Sequence, residues 1–197
     1  MTENKDIFQR KDLKTGGFYE LSIQVCPSID NEPIEKYTDY IWALNDVIGP
    51  FDNDFNVIKV DCKNFEHNGL LRLDKYIIPF KTYNIREEEP VEIGYNWFDI
   101  CFYTAAIEHV FGADYKTWTE KPKCPPQIES FFISVAKELF NVYGFKLAII
   151  DFEASGQYYL SDLSKPVETP FYPRFIVGTQ NMDLIANENK DRVIFIH

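Results

Sequence analysis

Apolar and polar positions alternate in FYELSIQVC, residues 18–26, and Pro27 ends the run, which predicts a strand. Behind it the period lengthens. Ile34, Tyr37, Ile41, Leu44, Val47 and Ile48 recur at helical spacing, Pro33 suits a first helical turn, and Gly49-Pro50 closes the segment. A helix over 33–48 is predicted, with Glu35, Lys36, Asp39 and Asp46 on its outer side. Residues 55–62, FNVIKVDC, predict a second strand. Asn68-Gly69 predicts a hairpin turn, with LLRLDKYIIPF returning as a strand that closes at Pro79.

Pro90 and Gly94 argue against helix through REEEPVEIG. From Asn96 to Phe111 almost every position is apolar, a pattern that predicts a buried helix over 96–111 capped by Gly112. Residues 113–126 contain KPKCPP, the best candidate for an internal boundary. Ile128, Phe131, Phe132, Val135, Leu139 and Val142 form the stripe of a helix over 127–143, and Gly144 marks its stop. FKLAIIDFE, residues 145–153, predicts a strand, and Ser155-Gly156 turns it toward QYYLSDL as a hairpin. FIVGT at 175–179 and RVIFIH at 192–197 predict short strands, with a short helix or loop between them. The order lacks a steady β-α-β-α alternation. It predicts one α+β domain over 1–197: a mostly antiparallel sheet with two or three packed helices, at about 33–48, 96–111 and 127–143.

Composition supports a packed chain. Of 197 residues 45% are hydrophobic and 16% aromatic, with 17 Phe and 12 Tyr, enough rings to fill a sizeable core. No run is apolar for the roughly 20 residues a bilayer span needs. The N-terminal stretch is polar and lacks the apolar core of a secretory signal, so a cytoplasmic protein is expected.

Charge changes the picture more. The net charge is −11, and residues 30–54 and 84–120 each sum to −6, so the remainder is close to neutral. Such a chain repels phosphate backbones, and no nucleic-acid partner is expected. A basic protein partner is attracted instead. Glu87, Glu88, Glu89 and Glu92, with Tyr95 and Trp97 beside them, are the candidate binding residues of a docking edge. The alternative for the same stretch is a solvated loop.

Catalytic chemistry is thinly supplied. Cys26, Cys62, Cys101 and Cys124 lack CxxC spacing and are expected as buried free thiols. His67, in DCKNFEH, is expected as an exposed turn residue, and His109 as a core or helix-end residue. No GxSxG, GxGxxG or GxxxxGK occurs. The stretch AIIDFEASG, residues 148–156, resembles the first motif of the DEDD-type exonucleases, an apolar strand followed by Asp-x-Glu. The resemblance implies that Asp151 and Glu153 hold divalent metals for phosphodiester cleavage. It covers about nine residues of the 197, and Asp162, Asp183 and Asp191 fall in no pattern of that family.

The sequence therefore predicts a non-enzymatic acidic binding protein needing no cofactor or metal. An immunity or inhibitor protein that neutralises a basic toxin or nuclease is the concrete form. A metal-dependent hydrolase built on Asp151 and Glu153 is one alternative, and a structural or assembly subunit another.

Overall fold

In the computed structural model, residues 2–87, 94–115, 124–169 and 172–197 are described. Eight strands form one sheet. They are β1 (Phe18–Pro27), β2 (Val47–Phe51), β3 (Glu66–Leu73), β4 (Tyr76–Arg86), β5 (Tyr95–Tyr103), β6 (Leu147–Phe152), β7 (Arg174–Gly178) and β8 (Val193–Ile196). Their order across the sheet is β2-β3-β4-β5-β1-β6-β7-β8. Every pairing is antiparallel except β7 with β8. Among the described residues the α-helices are α1 (Thr2–Gln9), α2 (Glu32–Trp42), α3 (Thr104–Phe111) and α4 (Pro126–Val142), with short 3-10 helices between elements. The α+β class expected from the sequence is the observed one.

The central strand β1 is covered on both sides. Alternation sends Leu21, Ile23 and Val25 into the main core, where they meet Tyr37 and Ile41 of α2, Ile107 of α3 and Phe132 of α4. Glu20, Ser22 and Gln24 point to the opposite face, and all three are buried. That second face is roofed beyond β5 by irregular chain and 3-10 turns, among them Leu160–Ser164, Thr179–Leu184 and Asn187–Arg192. Trp97, Leu147, Ile149, Leu163, Phe175 and Val177 form its apolar part. Phe8 of α1 closes a third, small cluster with Phe51 and Leu70.

Several elements differ from the sequence expectation, each for a physical reason. The run expected as a helix over 96–111 is a strand, β5, followed by the two-turn helix α3. Phe98, Ile100 and Phe102 join the helix-covered core while Trp97 joins the opposite cluster. A strand buried on both faces is apolar at successive positions, and this erases the alternation that would have marked it. The helix expected over 33–48 stops at Trp42, because Val47 and Ile48 pair with Leu71 and Leu70 of β3.

Asn68-Gly69 lies inside β3, and the hairpin turns at Asp74-Lys75, with Asp74 at φ +53°. Gly69 serves packing instead: a Cβ there would lie 2.7 Å from the Trp42 ring and 2.8 Å from the Ile48 carbonyl. Residues 55–62 are a loop that touches β2 through one bridge, Phe51 to Val57. The hairpin expected after Ser155-Gly156 is replaced by the 3-10 turn Leu160–Ser164. Most of the expected boundary at 113–126 falls on 116–123, outside the described residues. Among the described residues no helix is long and apolar enough to cross a membrane.

Candidate functional site

A groove of about 810 Å³ opens between the first turns of α2, the loop at 59–63 and the adjoining ends of β4 and β5. Asparagines tie its walls together. Asn84 of β4 donates to the Cys62 and Asn64 carbonyls, at 3.0 and 3.1 Å, and so holds the loop. Thr38 of α2 donates to the Asn84 carbonyl oxygen at 3.3 Å. Asn96 of β5 donates to the Asp30 carbonyl at 2.6 Å, and Ser28 N–H donates to the Gly94 carbonyl at 2.7 Å. The Arg86 guanidinium donates to the Asn31 side chain.

These bonds hold the first acidic segment against the ends of β4 and β5, which line the groove with Asn84, Ile85, Arg86, Asn96 and Trp97 and, among the described residues, with no acid. Glu35 and Asp39, one helical turn apart on α2, and Asp61 line the groove with Lys59, Lys63 and Arg86. Among the described residues none of these six is in an ion pair. Negative and positive charges are therefore interspersed there. Within two residues of the lining in sequence, Ile29, Val57 and Phe65 are 92%, 74% and 60% exposed.

The expected docking residues fare unevenly. Glu88, Glu89 and Glu92 lie outside the described residues. Glu87 turns inward, accepting from Tyr95 N–H at 3.1 Å and from the Tyr159 hydroxyl. That contact pushes the Tyr159 phenol up to about 12. Tyr95 is half-buried on the second cluster. Trp97 also borders the groove, but its side chain is buried, with the Tyr159 ring edge-on at 5.9 Å. An exposed aromatic anchor is thus a core residue here, because β5 is a sheet strand and its side chains alternate into the interior.

The other chemistry-bearing residues are placed as follows. Asp151 Oδ1 accepts from Phe152 N–H at 2.8 Å, and Glu153 Oε1 accepts from Phe18 N–H at 2.6 Å. Among the described residues no three His, Cys, Asp or Glu are grouped to hold a metal ion. His67 is fully buried, not exposed, because Asn68-Gly69 is strand and not turn. Its Nε2 accepts from Asp61 N–H at 3.3 Å, and burial lowers its pKa. His109 meets Arg10 at 3.0 Å. All four thiols are free, Cys26 and Cys101 buried and the other two half-buried.

A second constellation was missed in the sequence. Glu20 of β1 and Asp99 of β5 lie diagonally across one strand pair, since Glu20 faces Cys101 and Ser22 faces Asp99. Both carboxyls are buried, 4% and 1% exposed. Glu20 Oε1 accepts from Ser155 N–H at 2.7 Å, and its other oxygen receives the Cys101 thiol at 3.3 Å. Asp99 Oδ1 and the Ser22 hydroxyl make no hydrogen bond of ordinary geometry among the described residues, though Ser22 and Ser155 lie near enough to the Asp99 carboxyl to moderate its rise. Burial raises both acids, and their mutual repulsion raises Glu20 further, to about 8, with Asp99 at about 6. The legible signal was a single acid inside each of two apolar runs.

Compared with known proteins, the chain matches no family model, no curated protein and no solved structure.

Proposed function

We propose that this chain is a non-enzymatic binding protein that docks a basic protein on the groove between α2 and the loop at 59–63. An immunity or inhibitor role against a basic toxin or nuclease is its concrete form. The observation that carries the reading is that Glu35 and Asp39 of the first acidic segment line the groove without an ion-pair partner among the described residues. Unpaired carboxylates, with exposed Ile29, Val57 and Phe65 within two residues of the lining in sequence, suit a protein interface with an apolar part and a charged part. Lys59, Lys63 and Arg86 would read acidic positions on the same partner, so charge arrangement as well as net charge selects it. Four free thiols suit a reducing, cytoplasmic setting.

The test is co-purification from the native host at low salt, followed by measured association of the captured partner. The double change Glu35→Lys with Asp39→Lys is expected to slow association at least tenfold and to flatten its salt dependence. Glu188→Lys, before β8, is the control and should leave both unchanged. A partner without net positive charge, or association indifferent to the double change, overturns the reading.

A further inference from the structure

We propose that Glu20 and Asp99 share one proton and act as a pH-sensitive latch on the turn at 153–156, which fastens the irregular C-terminal layer over the second face of the sheet. The geometry supplies each part. The turn meets the sheet at two carboxylates: Glu20 receives Ser155 N–H, and Glu153 receives Phe18 N–H while its own N–H returns to the Phe18 carbonyl at 3.1 Å. Glu153 sits at φ +50°, a left-handed conformation that costs about 1 kcal/mol for a residue with a side chain. Such a turn persists only while its contacts hold. Ala154 follows, fully buried in the second cluster, and Tyr158, Tyr159, Leu160 and Leu163 continue the layer.

Among the described residues no cation forms an ion pair with either acid. On β5 the pair faces Cys101, on β6 Asp151, and on the turn Glu153 and Ser155. On β4 the register places Tyr83 opposite Asp99 and Lys81 opposite Cys101. The Lys81 ammonium is already held by Glu66 at 2.8 Å and Tyr83 at 3.2 Å. Every other ionisable neighbour is an acid, a thiol or a phenol. Two carboxylates so placed cannot both ionise without strong repulsion, so one proton between them is the stable arrangement. When that proton leaves, the repulsion is relieved by admitting water. The available route is separation of the turn, which ends in exposed Gly156.

The consequence is local opening that grows with pH, ahead of global unfolding. Opening releases one proton wherever the opened carboxyls are ionised and the closed pair still holds its proton, so its equilibrium should rise by up to about tenfold per pH unit between the ordinary carboxylate range and the pair's raised titration, and level off above it. Two measurements test this on the intact chain. Carboxyl-carbon NMR from pH 4 to 10 should show Glu20 and Asp99 titrating above pH 5 and in a correlated manner. Amide hydrogen exchange at Ser155, corrected for its intrinsic base catalysis and referred to Ile149 in β6, should accelerate with that slope. In Asp99→Asn, which keeps the shape and removes the second charge, Glu20 keeps the effect of burial and loses the repulsion, so its titration should fall and the pH range of the excess slope should narrow from its upper end. Titration of both acids below pH 5, or a Glu20 titration and slope range unchanged in Asp99→Asn, overturns the latch. If the variant does not fold, the carboxyl titration of the unaltered chain decides alone.

Discussion

The two faces of the sheet are covered by different kinds of chain, and their chemistry differs accordingly. Under α2, α3 and α4 the face is almost wholly apolar, from Leu21 and Ile23 to Phe98 and Phe132. Beneath the C-terminal turns it carries Glu20, Ser22, Gln24, Asp99 and Cys101, all buried. A helix spends its backbone N–H groups on its own carbonyls, so it offers a sheet only side chains. A layer of turns has N–H groups left over, and buried acceptors take them up. Ser155 N–H on Glu20 is one case, and Val167 N–H on the Asn189 side chain at 2.9 Å is another. Buried polarity on one face is thus the counterpart of irregular backbone above it.

The comparison can be broken from the apolar side first. Phe98→Ala, which removes a fully buried ring 5.8 Å from Tyr37, should cost about 3–5 kcal/mol in denaturant unfolding. The same measurement on Asp99→Asn should show an effect of opposite sign at high pH. The folded-state pKa is raised above the unfolded value, so ionisation of the native acid is a penalty. That penalty is absent below about pH 4 and grows as pH rises through the folded value. Asp99→Asn should therefore stabilise by about 1–3 kcal/mol near pH 9 and lose that advantage near pH 4. Equal effects at both pH values would remove the electrostatic distinction between the faces.

Smaller changes sharpen it. Gly69→Ala, on the helix-covered side, should cost about 1–2 kcal/mol, since the new methyl meets the Trp42 ring and a backbone carbonyl. Thermal unfolding reads this directly. Trp97→Phe, on the polar side, removes an indole N–H that is buried without a partner among the described residues. Its lost volume and its relieved desolvation oppose each other, so the net change should stay within about 1 kcal/mol. A loss of several kcal/mol would mean that this N–H is satisfied in solution.

What was legible in the sequence follows the same division. Elements with one covered face, such as α4, kept their period and were located within a residue or two. The two-sided strand β5 had no period to read, and it was mistaken for helix. Asn68-Gly69 carried a turn signal whose cause was the approach of Trp42 to Gly69, a contact 27 residues distant in sequence. The groove was legible only as charge. Its first acidic segment was visible, but the place of that segment against β4 and β5 depends on Asn31 reaching Arg86 and Asp30 reaching Asn96. Glu20 read as an ordinary strand acid and Asp99 as an acid within the helix expected over 96–111, because only the sheet order places β1 beside β5.

Strand β1 is made early yet occupies the middle of the sheet, flanked by β5 and β6. Its first neighbour begins at Tyr95 and its second at Leu147. At roughly 5–20 residues per second, a ribosome needs several seconds to deliver the first and longer for the second. Through that interval Leu21, Ile23 and Val25 have no sheet to join, so the nascent chain is a natural client for chaperones that shield hydrophobic segments.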